Sequence, residues 1–390
     1  MFLFDATHTS HTQAQTGIQR VCRSLYTELA KGRKTGAVCY DPYLKSWRAT
    51  DAGETATLRP GQAAGSSRGA KWPLHRRITG HARRLLGAKP ALPAGAAFIC
   101  PELFSARVGA RLPEIFARVR GPRVAIFYDA IGLQYPELTP PGTVARLPAY
   151  LRELLLFDGV AAISETSAAS LRDYWRWLGV SDTPVVTAIP LAIDERPSPP
   201  DGIPAQRAIP RLLCVSTLEG RKNHLALLQA CERLWQEGVK FELQLLGLAR
   251  TDTAAAALAK VSALQQAGRP VLFEGSVSDA ALHTAYRECA FTIYPSLIEG
   301  FGLPVLESLQ YGKPCICSGR GALAESTRDG GCVALDAVDA ASLAPAIRRL
   351  LQNPAELAAL GAEARARHFK SWPSYTLELT AWMEGLPRRG

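Results

Sequence analysis

Short apolar runs recur along the whole chain, each followed by a longer stretch with helical spacing, and this alternation restricts the fold more than any other feature. In the first half the runs are Phe2–Asp5, Ala37–Tyr40, Ala96–Cys100, Val124–Tyr128, Gly159–Ile163 and Pro184–Ile189, with helices expected over Gly17–Ala30 and Thr166–Leu178. In the second half they fall near 212–216, 241–246, 271–274, 291–294, 314–318 and 332–335. A strand that must cross over a helix before the next strand pairs in parallel, so the pattern implies an α/β chain of doubly wound sheets. The length of 390 residues and the 47% hydrophobic content suffice for two cores. Asp194 to Pro204, rich in proline and turn formers, reads as the linker, which sets domains at 1–194 and 205–370. From Pro354 through Trp372 to Trp382 the chain reads as helical.

The most informative local stretch runs from Tyr294 through Glu299-Gly-Phe-Gly-Leu-Pro to Glu307. Phe291–Tyr294 is a strand candidate, Gly300 and Gly302 allow backbone conformations that other residues resist, and Leu303–Tyr311 reads as a helix with Pro304 in its first turn. The free amides and positive dipole end of such a helix suit an anion. Glu299 stands before the helix and Glu307 inside it, about 10 Å apart by helical rise. A bare pair of carboxylates at this spacing is ordinarily a solvated or salt-bridged surface pair. A second turn changes the balance. The strand Leu212–Ser216 runs into Glu219-Gly-Arg221-Lys222-Asn223-His224 and then a helix over Leu225–Gln236. Two adjacent cations at a strand-to-helix turn lie on the same sheet edge as the Glu299 turn, where they suit a diphosphate, Arg through its planar fork and Lys as a point charge.

These motifs resemble the retaining glycosyltransferases of family 4, whose two-domain architecture is called GT-B. The resemblance covers nearly the whole chain and is strongest from Leu212 to Glu325, where the Arg-Lys-Asn turn, Gly247, Gly275-Ser-Val-Ser-Asp279, the Glu299 to Glu307 segment and Gly312-Lys-Pro314 follow in the family's order. A fainter likeness runs through Thr16-Gly17-Ile-Gln-Arg20, Tyr128-Asp129, Ser164-Glu165 and Ile189 to Asp194. It implies two Rossmann-like domains facing a central cleft, the second holding a nucleotide-sugar donor and the first an acceptor, with residues 371–390 folding back on the first domain. It assigns Glu299 to the donor sugar, the amides of Gly300, Phe301, Gly302 and Leu303 to sugar and phosphate, Glu307 to the ribose, and Arg221 with Lys222 to the diphosphate. Ser216, Gly247 to Arg250 and Ser276 to Val277 would border the nucleotide. Gly17, at the start of a helix after the first strand, either approaches the phosphates or merely shapes a turn. His8 and His11 in the preceding loop read as solvated.

The departures from the family pattern also carry meaning. Tyr128-Asp129 stands where many members have His-Asp, leaving Asp129 either to orient a hydroxyl or to cap a helix. Ala192 replaces a usual glycine, and Ser216 another. No Asp-x-Asp triplet occurs, so no cofactor or metal is expected, and side-chain cations would stabilise the departing diphosphate. Retention would then arise by same-face attack without a protein nucleophile. The likeness to mannosyl- and rhamnosyltransferases of surface polysaccharide assembly favours GDP-mannose or a related deoxysugar donor and a glycan or lipid-linked acceptor. Two other classes stay open: an epimerase on the same fold, which would want acids and bases beyond Asp129, His8 and Glu165, and an idle binding relative, which should have lost Glu299 or Lys222.

Of the net charge of +10, +9 falls in residues 1–200. The stretch Arg59–Lys89 contains eight basic residues and no acid. On a helical wheel from Leu74 to Leu86, Leu74, Ile78, Ala82, Leu85 and Leu86 share one side while Arg76, Arg77, Arg83 and Arg84 occupy the other. Such a segment is either an anionic-membrane contact or a solvated insertion. Nucleic acid is set aside, because no recognition motif or interleaved aromatics accompany the charge. The nine cysteines are scattered and several lie in strands, as small buried thiols do. The close pair Cys315 and Cys317 is expected on opposite strand faces, unable to share a metal. With no signal peptide and no apolar run of about 18 residues, a cytoplasmic location, peripheral on the inner membrane, is expected.

Overall fold

In a computed structural model of the chain, residues 1–14, 16–59, 69–88, 90, 92–195, 207–250 and 252–389 are described. The expected linker falls mostly outside these residues, as do Arg68 and Lys89 of the basic stretch. The chain divides into two units: 1–130 with 145–192 and 370–390, and 131–144 with 193–369.

In the first unit, seven strands form one sheet: β1 (Phe2–Asp5), β2 (Thr35–Asp41), β3 (Ser46–Ala49), β4 (Ala97–Cys100), β5 (Arg123–Phe127), β6 (Gly159–Ala162) and β7 (Val185–Ala188). Their order is β3-β2-β1-β4-β5-β6-β7, parallel throughout except for β3, which pairs antiparallel with β2. β3 escapes the apolar-run criterion because only Trp47 of its four residues is buried, and the turn before it needs Lys45 in a left-handed conformation at φ 58. Trp47 anchors it, its Nε1 donating to Arg111 O at 2.8 Å. Phe98, Phe104, Phe116 and Phe157 interlock beneath the sheet, adding edge and stacking contacts to plain burial. Flanking helices include α1 (Gly17–Gly32), α2 (Ala52–Ala56) and α3 (Leu74–Leu85).

The C-terminal helical stretch is not continuous. One helix spans Pro354–Ala366; Arg367 then turns extended at ψ 145, and a new helix, Trp372–Glu384, starts where Ser371 accepts from the Ser374 amide. The second helix belongs to the first unit, with Tyr375, Leu379 and Met383 wholly buried. Gly159 is required under it, since a Cβ there would sit 2.6 Å from Leu386. Asp158, gripped by Arg123 through bonds of 2.8 and 2.6 Å, also receives the Arg389 amide at 2.6 Å. Residues 131–144, expected in the first domain, group with the second unit, where the Leu138 side chain lies against Gly220.

The second unit carries a six-stranded parallel sheet: β8 (Arg211–Val215), β9 (Glu242–Leu246), β10 (Val271–Phe273), β11 (Phe291–Tyr294), β12 (Cys315–Ser318) and β13 (Cys332–Leu335), in the order β10-β9-β8-β11-β12-β13. Leu212, Leu243, Leu245, Phe291 and Ile316 pack one face against Leu227, Leu234 and Ile347. Cys315 and Cys317 share the other face with Tyr294, Leu309 and Leu323, which corrects the expectation of opposite faces. Side chains alternate along a strand, so residues two apart point the same way, and it is Ile316 between them that faces the opposite core.

In each sheet the strand order reverses at one place. From β8 the chain proceeds outward to β9 and β10, then returns to place β11 on β8's other side, with Phe291 opposite Leu212. A crevice opens beyond the carboxyl ends of two strands whose connections leave in opposite directions, and α/β sheets bind ligands there. The first unit has the same arrangement at β1 and β4.

Candidate active site

The turns after β8 and β11 meet at this switch point. After β8, Gly220–Lys222 makes one tight helical turn, and Asn223 reverses the chain at φ 57, ψ 33, its amide nitrogen donating to Val338 O at 2.7 Å. The Leu297 amide donates to Arg221 O at 2.9 Å, tying the two turns together. Lys222 Nζ is then 2.5 Å from Glu299 Oε1 and 2.5 Å from the Tyr294 hydroxyl, which itself donates to Glu299 Oε1 at 3.0 Å. Arg221 takes the other carboxylate oxygen at 2.7 Å and pairs with Glu219 at 2.8 Å. Sequence spacing placed Arg221 and Lys222 towards an anion; the structure adds that both are already held by carboxylates.

Burial alone would raise the Glu299 carboxyl, but the Lys222 ammonium and Arg221 guanidinium outweigh it and hold it down to about 2. Lys222 shows the opposite balance: burial lowers it, with Glu299 opposing and Arg221 adding repulsion. Arg221 is raised by its carboxylate partners despite burial. At neutral pH Glu299 is therefore a carboxylate and Arg221 a guanidinium cation with little water around them, a setting in which charges act strongly.

Past Glu299 the chain reaches Gly302 at φ 111, ψ 43, which caps the helix Leu303–Gln310, with Pro304 in its first turn. A Cβ on Gly302 would sit 2.6 Å from Leu323. The amides opening this helix have no partner within it, as at any helix start. Ser326 Oγ donates to Phe301 O at 3.2 Å and steadies the turn. Gly247, ending β9 at φ 144, passes so near β8 that a Cβ would overlap Ser216 O. Val277 packs beside Leu246 and Tyr286. Arg250 is engaged with Asp252 at 2.8 Å. Glu307 accepts from Tyr286 OH at 3.0 Å, Tyr286 being stacked on Tyr311 with ring centres 5.2 Å apart.

The structure thus gathers Ser216, Arg221, Lys222, Gly247, Glu299 and the turn Gly300 to Leu303 at one sheet edge of the second unit. Gly17 and Asp129 belong to the first, where Gly17 opens α1 beyond β1, and Asp129 follows β5 next to Tyr128. Three residues beyond those singled out in sequence enter the second-unit site. Tyr294 ends β11 and bridges Lys222 and Glu299. Tyr286 holds Glu307. His224, 2% exposed, bonds Ser216 Oγ through Nε2 at 3.0 Å while its Nδ1 lacks a hydrogen-bond partner. Burial and then Lys222 push the His224 imidazole down to about 3, so it is neutral. Tyr294 and His224 stand inside the quoted motifs, and their adjacency to Glu299 and Lys222 was the available signal; nothing near Tyr286 in sequence marks it.

At the first unit's switch point two buried carboxyls, Asp5 and Glu102, end β1 and follow β4. Glu102 accepts the His8 and Thr9 amides at 2.7 and 2.6 Å, and Asp5 accepts from Thr7 and Cys100, bracing the loop that leads to Gly17. His11 is not solvated. Its Nε2 lies 2.9 Å from Glu54 Oε1 and its ring stacks on Trp72 at 3.6 Å, so it acts as internal packing.

Comparison with known proteins bears on this geometry. Residues 204–367 match the family described as glycosyl transferases group 1. The O-antigen chain mannosyltransferase B of Escherichia coli is 30% identical over 268 residues, covering 65% of this chain and 68% of the relative. The serotype-specific mannosyltransferase WbdA of Escherichia coli is 28% identical over 339 residues, 80% of this chain, although the chain spans only 38% of that relative's length. Among solved structures, the sucrose-phosphate synthase of Thermosynechococcus elongatus superposes with a TM-score of 0.66 at 19% identity, covering 98% of this chain and 97% of the other. Anabaena HepE in complex with UDP and glucose gives a TM-score of 0.68 at 16% identity and 99% coverage of both chains. These likenesses show a fold of two Rossmann-like parallel sheets, the GT-B type.

Proposed function

This chain belongs to the group 1 glycosyl transferases, and on that premise we propose that it moves a hexose, with retention, from GDP-mannose or a related deoxysugar nucleotide to a growing surface glycan. The observation that carries the proposal is the buried cluster of Lys222, Arg221, Tyr294 and Glu299 at the β8–β11 switch point. The mannosyltransferase relatives support the sugar, and the O-antigen chain mannosyltransferase B supports the acceptor.

In this reading the donor diphosphate lies against the first turn of the helix Leu303–Gln310 and against Arg221 and Lys222. Glu299 accepts hydroxyls of the sugar, and Glu307, aimed by Tyr286, those of the ribose. Ser216, Gly247 and Val277 border the nucleotide. Of the first unit's residues, Gly17 is assigned to phosphate binding and Asp129 to orienting an acceptor hydroxyl. The bond from the sugar C1 to the phosphate oxygen breaks while C1 bonds the acceptor oxygen on the same face. The acceptor's proton passes to the departing phosphate oxygen, whose new charge the two cations stabilise. No metal or other cofactor is required in this scheme, since Lys222 and Arg221 supply the positive charge.

The acceptor is carried on a lipid, and the basic stretch 59–89 brings the enzyme to the anionic cytoplasmic surface of a membrane. Nine cysteines, all free, suit a reducing compartment, and among the described residues no helix is long and apolar enough to cross a bilayer.

The test is turnover of GDP-mannose, read as GDP release, with chelator present. Parent enzyme should turn over, and Lys222→Ala and Glu299→Ala should each lose activity while keeping the fold by circular dichroism. Full activity in either variant overturns the site, loss of parent activity on chelation overturns the metal-free scheme, and equal thermal stabilisation by GDP, UDP and dTDP overturns the choice of base.

A further inference from the structure

Helix α3 is docked the wrong way round for a soluble protein. An amphipathic helix on a globular surface turns its apolar stripe to the core. α3 instead meets the body of the first unit through Gly80, its one buried residue, where a Cβ would come within 2.8 Å of Tyr43 Cβ and 3.2 Å of the Leu44 amide nitrogen. Arg76, on the same side, pairs with Asp51 at 2.8 Å and also with Glu54. Arg77 lies over the Tyr43 ring at 5.4 Å, and His81 meets the same ring edge-on at 5.3 Å. At about 100° per residue, the positions half a turn from Gly80 are those of Leu74, Ile78, Ala82 and Leu85. They face solvent: Leu74 is 67% exposed, Ile78 60%, Leu85 88% and neighbouring Leu86 83%.

One exposed leucine on a surface means little, but a contiguous stripe of four large apolar side chains marks a contact. The surrounding charge identifies it. Lys71, Arg77, Arg83 and Arg84 are exposed too, the three arginines on the flanks of α3 rather than within the stripe, and α3 contains no acidic residue. The nearby acids, Asp41, Asp51 and Glu54, lie on the docked side and are engaged by Arg48 and Arg76. The exposed surface of the helix is therefore apolar on the face away from the body and positive along its flanks, from which long Arg side chains can reach lipid phosphates, the complement of an anionic lipid surface. Twelve residues give about 18 Å of helix, too short for a hydrocarbon core of about 30 Å, so the helix would lie in the surface plane.

We propose that α3 is an interfacial anchor: Leu74, Ile78, Leu85 and Leu86 enter the headgroup layer of an anionic bilayer, while Lys71, Arg83 and Arg84 reach lipid phosphates. This deepens the membrane contact proposed above by naming the inserted face, and it does not depend on the transferase reaction.

Flotation of the full chain with vesicles of phosphatidylglycerol and phosphatidylcholine tests it, against vesicles of phosphatidylcholine alone. The parent should float with the anionic vesicles only. Ile78→Glu with Leu85→Glu should lower the bound fraction about tenfold or more, at unchanged melting temperature and unchanged GDP release. Arg83→Gln with Arg84→Gln should weaken binding and reduce its sensitivity to salt. A parent that does not float, or a Glu variant that floats as well as the parent, overturns the proposal. So does a concentration-dependent dimer that the same substitutions abolish, which would assign the stripe to a second copy of the chain. Because GDP release is read separately, failure of the anchor and failure of the transferase assignment are distinguishable.

Discussion

Replacing Asp5 by Asn should make the protein more stable at pH 8 than at pH 5 relative to the parent. Asp5 ends β1 with 1% of its surface exposed, and burial, then the charge of Glu102, push its carboxyl from an ordinary 3.8 up to about 7, against the lowering bonds from Thr7 and Cys100. The unfolded chain loses this proton near its ordinary value. Between the two values the folded state therefore carries the extra proton, and stability falls as pH rises through that window. At about 1.4 kcal/mol per pH unit, and allowing for rounding near pH 5 and pH 7, the parent loses about 2.5 kcal/mol between pH 5 and pH 8 from this group. Asparagine keeps the acceptor for the Thr7 bonds and has no proton to lose. Its difference from the parent should thus drift by that amount in its favour. For a unit of this size 1 kcal/mol corresponds to about 2–4 °C, so the gap in melting temperature should widen by about 5–10 °C. Scanning calorimetry at pH 5, 6.5 and 8, following the transition that responds to the substitution, measures it. A gap that is the same at all three pH values refutes the argument, because a purely steric or hydrogen-bonding effect of Asn carries no pH dependence in this range.

Two further predictions concern the second unit. Gly302→Ala forces a side chain onto φ 111 and into Leu323, so it should cost about 2–3 kcal/mol in urea unfolding and weaken GDP binding by calorimetry at least about tenfold; unchanged binding would separate the turn from the donor site. Tyr294→Phe leaves the Lys222–Glu299 pair but removes the hydroxyl that bridges it, so it should cost about 1–2 kcal/mol and slow GDP release about tenfold, and a variant with parental turnover would make Tyr294 mere packing.

Much of the fold was legible because each strand of the two sheets' interiors is a short apolar run between turns, and burial on both faces demands that. β3 was not, because an edge hairpin needs only Trp47 in the core, while Arg48 beside it is held by the buried carboxylates Asp41 and Glu54. His11 read as a loop histidine because its partners, Glu54 and Trp72, lie far along the chain. The same distance hid the role of Tyr286, whose partner Glu307 is 21 residues away on the helix after β11.

By itself the sequence determined the parallel α/β class, the positions of the two anion-suited turns and the two-sided character of residues 74–86, because periodicity and glycine placement are local properties of a chain. Tertiary structure alone decided that β8 and β11 are neighbours, so that Lys222 meets Glu299 across 77 residues, and that α3 turns its leucines outward. Both outcomes depend on which surfaces come together: the strand order in one case, and in the other Gly80, whose missing side chain lets the helix approach Tyr43 on its polar side.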